Sequence, residues 1–249
     1  MSKNTWIIFA IVCVGIVAGL VFLSREGQLD VSAIDVNKIQ AASEKNGQIA
    51  DHVYGNKESK VILIEYGDYQ CPGCGTAAPV LKAVSEKYKD QIAFVFRNFP
   101  LYSMHPNALA AATAAEAAGK QGKFWEMHNA LYENQSEWNQ LSSSDRTDYF
   151  VNLATSVGAN DTTLRTDFSN KAIKQKIDFD VALGKKIGVS GTPAIYLNGK
   201  KLSDQRFSGS KLTSSSEGSY VWSDATAFEN LIIKPALKEA GIKVEEKTE

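Results

Sequence analysis

Val61-Ile62-Leu63-Ile64-Glu65-Tyr66-Gly67-Asp68-Tyr69-Gln70-Cys71-Pro72-Gly73-Cys74 is the stretch on which the reading of this chain turns. Its first six residues are rich in β-branched and apolar types, and Gly67 ends the run, the pattern of a short buried strand. Cys71 and Cys74 then open a helix. Pro72 lacks an N–H and is pre-set for a first turn, and Val80, Leu81 and Val84 fall on one side of a helical stretch running to about Tyr88. Ile92-Ala93-Phe94-Val95-Phe96-Arg97 reads as a second strand. Strand, helix and strand in this order make a βαβ unit, expected to be parallel with a right-handed crossover.

Downstream, residues 106–187 read as helical throughout. Pro106 suits a first helical position, and the Ala-rich stretch to Ala118 meets Gly119, a stop signal. Phe124, Met127, His128 and Leu131 fall at i, i+3, i+4 and i+7, as do Phe150, Leu153, Ala154 and Val157 before Gly158. Asp161 is the expected N-cap ahead of Leu164 and Phe168. Ile173, Ile177 and Val181 continue one face of a further helix. Strand character returns at Ala194-Ile195-Tyr196-Leu197, and Asn198-Gly199 signals a hairpin with Gln205 to Ser208 as the returning strand. Residues 209–224 read as a long surface loop. A final amphipathic helix carries Phe228, Leu231 and Ile232 until Pro235 ends or kinks it. The order β-α-β, helical block, β-β-α is that of an α/β, thioredoxin-like fold with an inserted helical domain at about residues 104–188.

Trp6 to Leu23 is free of charge and just long enough to cross a bilayer. A cleaved signal peptide is the alternative, but its apolar region runs roughly 7–15 residues and ends at a small-x-small site. Phe22-Leu23-Ser24-Arg25 offers no such site. We therefore expect residues 1–24 to be an uncleaved anchor, residues 25–50 a linker, with a strand or helix packed on the main domain as the alternative for its last few residues, and residues 51–249 the working unit. Lys3 and the amino terminus favour the inside, which places the bulk of the chain on the extracytoplasmic side of the cell membrane. Lys plus Arg (27) nearly balances Asp plus Glu (28), so charge gives no reason to expect a nucleic acid as partner.

Three cysteines occur, and Cys13 lies in the apolar run, leaving Cys71 and Cys74 as a single close pair. That excludes a disulfide-stapled scaffold. At the start of a helix, unpaired N–H groups and the positive dipole end favour a thiolate, and cysteines so placed have pKa values of roughly 3.5–7.5. Cys71 is then the nucleophile and leaving group, and Cys74, one turn in, resolves the mixed disulfide. Gly73 brings no side chain to stabilise charge. A zinc half-site would need two further ligands, and His52, His105 and His128 stand singly. A structural cross-link over two residues would stabilise little. Glu65 is either a solvent-side carboxylate or a buried acid that exchanges a proton with Cys74. Alternation along the strand does not decide, and the need for proton transfer favours the acid. Thr192-Pro193, ahead of the late strand, is a candidate cis bond. Trp125, His128 and His105 read as packing and turn residues.

The segment from Glu65 to Cys74 resembles the active-site segment of DsbA-like thiol–disulfide oxidoreductases. Phe96-Arg97-Asn98-Phe99-Pro100-Leu101, His105-Pro106, residues Gly122 to His128 and residues Gly188 to Pro193 are similar to that family's other markers, in order, and together cover about residues 51–240. The nearest subgroup is the single-domain, membrane-anchored kind of bacteria lacking a conventional outer membrane. The resemblance implies a dithiol oxidase acting on reduced exported polypeptides, with a redox-active Cys71–Cys74 disulfide, no further cofactor and no metal. It implies Glu65 as the buried acid, a cis Thr192-Pro193 bond facing the cysteines, and Thr192, Pro72 and Gly73 as substrate contacts. Re-oxidation would come from a quinone-linked membrane partner. A reductase, an isomerase or a tethered peptide-binding chaperone are the alternatives. Gly73 stands where the family commonly carries a His or another larger residue, and the loop 209–224 is longer than the family pattern.

Overall fold

Ile62–Gly67 forms β2, which runs down the middle of a five-stranded sheet in the computed structural model, described for residues 6, 7, 12–16, 19 and 29–244. It pairs in parallel with β3 (Ala93–Asn98), Ile62 opposite Ala93 and Gly67 opposite Asn98, and α1 (Pro72–Lys87) makes the crossover. On the other side β4 (Ala194–Leu197) is antiparallel, with Tyr66 opposite Ala194. The edges are β1 (His52–Gly55), antiparallel to β3, and β5 (Lys200–Lys201), antiparallel to β4.

Between β3 and β4 the chain folds into α2 (Ala108–Gly119), α3 (Phe124–Glu133), α4 (Gln135–Trp138), α5 (Arg146–Ser156), α6 (Asp161–Asp167) and α7 (Lys171–Lys186). A small second sheet follows, ordered β7 (Lys211–Thr213), β6 (Arg206–Ser208), β8 (Ser219–Tyr220). The last helix comes in pieces, α8 (Ala225–Phe228), a π turn over Glu229–Ile233 and α9 (Lys234–Glu239). Pro235 has no N–H to return to the preceding turn, and the widened turn sits just before it.

Both faces of β2 are covered, which is why its sequence is a continuous apolar run. Leu63 packs with Leu81 and Val84 of α1 and with Phe228 and Leu237 at the C-terminal end. Ile64 and Tyr66 pack on the opposite face with Phe179 and Leu183 of α7. The insertion has its own core, in which Ala111, Ala115, Met127, Leu131, Phe150 and Ile177 meet, and it reaches the cysteines through Tyr69 and Phe96. The Ala-rich face of α2 is thus a close-packing surface.

A string of buried polar side chains ties these layers. His52 Nε2 meets Glu116 at 2.9 Å, Asn98 Nδ2 donates to Glu116 at 2.7 Å, and Asp180 accepts the Asn98 backbone N–H at 3.1 Å. Lys176 bridges Asp180 at 2.6 Å and Asp51 at 3.1 Å, and Arg97 closes on Asp51 at 2.7 Å. Charges out of water persist only when paired in this way.

Several expectations are corrected. The strand returning from Asn198-Gly199 is Lys200–Lys201, not residues 205–208. Asn198 and Gly199 both take positive φ, 47° and 82°, a two-residue turn that begins pairing at once. Two exposed lysines look unlike a strand in sequence but suit an edge. Residues 209–224 hold β7 and β8 rather than a plain loop. The expected linker 25–50 is bound to the body over its described part. Val31 and Val36 are buried beside Tyr66 and Phe99, Arg97 donates to the carbonyls of Val36 and Lys38, and Lys186 to those of Val31, Ser32 and Ile34. Helices are interrupted between 106 and 187. Pro106 precedes the helix instead of opening it, Asn160 caps α6 in place of Asp161, and Gly122, not Gly119, is left-handed at φ 73°. The run Trp6–Leu23 lies largely outside the described residues. Among the described residues, no helix is long and apolar enough to cross a membrane.

Candidate active site

The Cys71 side chain sits where β2 hands over to α1. Cys71 is the N-cap residue of α1, in extended conformation, and Pro72 and Gly73 make the first turn. Its Sγ lies 3.3 Å from the Thr192 carbonyl. Both cysteines are free thiols in this structure. The Cys71 thiol is pulled down to about 5, chiefly because the Cys74 thiol donates to it. Burial opposes this, and the backbone N–H groups of Cys74 and Gly73 add to the lowering. The N–H donors are the open end of a helix acting on an anion.

Cys74 is fully buried, and its Sγ accepts the Asp68 N–H at 3.5 Å. Burial first, then its hydrogen bond to Cys71 and the nearby Glu65 charge, push its thiol well above the ordinary value. Two identical side chains three residues apart are therefore driven in opposite directions. Asp68 supports this turn: its carboxylate accepts the N–H of Gln70 at 2.8 Å, the N–H of Leu101 at 2.8 Å and His105 Nδ1 at 2.7 Å.

Glu65 is buried, opposite Phe96 in β3 and Ile195 in β4. Among the described residues, neither carboxylate oxygen has a hydrogen-bond partner. Burial, and then the charge on Cys71, push its carboxyl up to about 8. Gly67 makes room for this arrangement, since a Cβ there would lie 2.2 Å from the Phe96 ring and 3.1 Å from Glu65 Oε1.

Thr192-Pro193 is cis. Pro193 lies against Gly73, where a Cβ would come 3.2 Å from Pro193 Cδ and 3.7 Å from Cys71 Sγ. The structure thus brings Cys71, Cys74, Gly73, Thr192 and Pro193 together, with Glu65 beneath and Pro72 exposed at the rim. A groove of about 360 Å³ opens from Cys71 along Pro193 and is walled by Tyr220 and Trp222. These rings stack at 4.9 Å, Arg206 lies 3.8 Å over Tyr220, and Trp222 Nε1 donates to the Ser203 carbonyl at 2.8 Å. In the sequence this wall is marked by no more than two aromatic residues, Tyr220 and Trp222, within a polar segment.

His128 is a packed residue, enclosed by Tyr69, Phe96, Trp125 and Tyr132 and 3.1 Å from the Tyr69 hydroxyl. Burial drives it down to about 3, so it is neutral. Among the described residues, no three His, Cys, Asp or Glu side chains are placed to hold a metal ion.

The thioredoxin family profile matches residues 47–211. Curated relatives include the "Na(+)/H(+) antiporter NhaA 1" of Salinispora arenicola, 38% identical over 61% of this chain and 22% of that protein. The one of Mycolicibacterium vanbaalenii is 36% identical over 60% of this chain and 23% of that protein. The chain therefore spans less than a quarter of the length of these two relatives. Among solved structures, a thioredoxin-like oxidoreductase from Silicibacter pomeroyi is 27% identical, with TM-score 0.51 over 61% of this chain and 82% of that one. Oxidised BdbD of Bacillus subtilis superposes with TM-score 0.57 at 22% identity, over 82% and 97% of the two chains. Alpha-DsbA1 of Wolbachia pipientis gives 0.58 at 22% identity, over 78% and 94%.

Proposed function

The chain belongs to the thioredoxin family, with a helical insertion of the DsbA-like kind, and from that premise we propose that it is a thiol–disulfide oxidoreductase working as a dithiol oxidase. The observation that carries this is the opposite tuning of Cys71 and Cys74 beside cis-Pro193. In the oxidised protein, a substrate thiolate attacks Cys71 Sγ. A substrate–Cys71 disulfide forms, the Cys71–Cys74 bond breaks, and Cys74 leaves as a thiolate. Cys74 holds a proton strongly in this environment, and Glu65, protonated near neutrality, supplies it. The second substrate thiolate then attacks the substrate sulfur, and Cys71 leaves. Two electrons pass from the substrate dithiol to the cysteine pair.

Direction follows from the leaving group. A low pKa makes Cys71 a fast leaving group and stabilises the reduced protein, which raises its oxidising power. Reduced exported polypeptides are the substrate class this chemistry serves. The uncharged run Trp6–Leu23 supports a membrane-tethered, extracytoplasmic placement. A membrane re-oxidase passing electrons to a quinone would complete the cycle.

Equilibration of the full-length protein with glutathione buffers tests the reading. A reduction potential near −120 mV supports an oxidase, and one near −270 mV a reductase. Cys71→Ser should lose oxidation of a reduced, unfolded substrate, and Cys74→Ser should accumulate the substrate–Cys71 disulfide. Activity in Cys71→Ser equal to wild type would sink the oxidase and leave a chaperone.

A further inference from the structure

Gln135, in the short helix α4 of the insertion, spends both hydrogens of its side-chain amide on the turn that carries Cys71. Nε2 donates to the Tyr69 carbonyl at 2.7 Å and to the Cys71 carbonyl at 3.0 Å. Both amide hydrogens are thereby used. The residue between those carbonyls is held by the same part of the insertion. Gln70 Nε2 donates to the Asn139 carbonyl at 2.7 Å, and its Oε1 accepts the Asn107 N–H at 2.7 Å.

Gly75 explains how Gln135 comes so close. A Cβ at position 75 would stand 2.7 Å from Gln135 Oε1 and 3.2 Å from its Cδ, so any larger residue would push the amide off the two carbonyls. Gly inside a helix costs roughly 0.5–1 kcal/mol relative to Ala. Its presence in the second turn of α1 is unexplained by the helix itself, and the Gln135 contact supplies the reason.

We propose that Gln135 is a positioning residue for the reacting sulfur, with Gly75 as its partner. Resting on the oxidoreductase reading above, it fixes the backbone of residues 69–71 so that Cys71 Sγ stays over the N–H groups of Gly73 and Cys74. The thiolate needs those donors held in place, because a charge-assisted hydrogen bond weakens steeply as its geometry opens. The two partly positive amide hydrogens of Gln135 also face the turn. Loosening the staple lets the sulfur leave its donors, disfavours the thiolate and makes the protein a weaker oxidant.

Four full-length proteins decide this: wild type, Gln135→Ala, Gly75→Ala and the double variant. In each, the Cys71 thiolate is titrated by its absorbance near 240 nm, and the dithiol–disulfide equilibrium is measured in glutathione buffers. Both single variants should shift the thiolate midpoint upward, and their equilibrium constants for oxidising glutathione should fall about 3- to 10-fold. That is about 15–30 mV towards a more negative potential. Gly75→Ala removes nothing from the insertion and favours helix, so it remains readable if Gln135→Ala folds poorly. The double variant should shift no further than either single one. A midpoint and an equilibrium constant within twofold of wild type in a folded Gly75→Ala protein would overturn the proposal, even with a lowered melting temperature. If wild type forms no Cys71–Cys74 disulfide in these buffers, the oxidoreductase reading fails, while the thiolate midpoints still judge the staple.

Discussion

Glu65→Gln should separate two opposing pH dependences of stability that cancel in the reduced wild-type protein. The Glu65 carboxyl is raised from 4.5 to about 8 by burial and then by the Cys71 charge. Its contribution to stability is therefore full below pH 4.5 and is lost as pH rises through 8, at roughly 1.4 kcal/mol per pH unit. The Cys71 thiol is lowered from 9 to about 5, mainly by the Cys74 hydrogen bond. Its contribution is full above pH 9 and is lost as pH falls through 5, with the same slope. Over the shared window, from about pH 5 to about pH 8, each amounts to roughly 4 kcal/mol, with opposite signs.

Reduced wild type should thus be nearly flat from these two groups. Reduced Glu65→Gln retains only the Cys71 contribution and should gain up to roughly 4 kcal/mol relative to wild type across the window. In the disulfide form Cys71 has no proton to lose, so oxidised wild type should instead lose stability by up to about the same amount. Burial is the larger cause of the Glu65 shift, and it survives oxidation. Other titrating groups, such as Asp180, enter all forms alike and drop out of the differences. Urea unfolding followed by circular dichroism at four pH values, with and without reductant, measures all three curves. A wild-type minus Glu65→Gln difference that stays within about 1 kcal/mol over the window would refute the buried-acid account.

Gly67→Ala should cost about 1–3 kcal/mol, because its Cβ would meet the Phe96 ring at 2.2 Å in a packed core, and urea unfolding reads the loss. Lys176→Met leaves Asp51 and Asp180 buried without their shared cation, and about 3–5 kcal/mol should be lost. A midpoint unchanged in that variant would mean the polar string is not holding residues 31–51 to the body. Tyr220→Ala should lower kcat/KM about 3- to 10-fold for peptides with an aromatic residue beside the reacting cysteine, measured against the same peptides carrying alanine. An unchanged ratio would mean that the aromatic wall does not touch substrate.

What the sequence shows of this fold depends on how each part is held. β2, α1 and β3 are legible because Leu63, Ile64, Val80, Leu81, Val84 and Val95 meet the core in an unbroken run or at helical spacing, and packing leaves that periodic mark. β1 leaves none, since His52, Val53, Tyr54 and Gly55 form an edge strand held by pairing with β3. The strap over residues 31–51 is equally silent. It is fastened by Arg97 and Lys186 donating to backbone carbonyls, and a carbonyl is the same in every residue type.

The active site divides along the same line. Cys71, Cys74, Thr192 and Pro193 are conspicuous because the chemistry itself needs those residue types. Glu65 lies on an undecidable face in sequence, since a strand covered on both sides carries no polar alternation, and it is the packing around β2, Phe96 over Gly67 included, that buries its carboxyl. Gln135 and Tyr220 belong to segments with no periodicity at all, yet they meet the turn and the groove that serve Cys71. Oxidising strength should therefore vary with residues outside the two-residue loop between the cysteines. Gly73 supplies no side-chain donor, and the work of holding a thiolate falls to the Cys74 thiol and the backbone N–H groups of the first helical turn. Each of those depends on the backbone placement of Cys71.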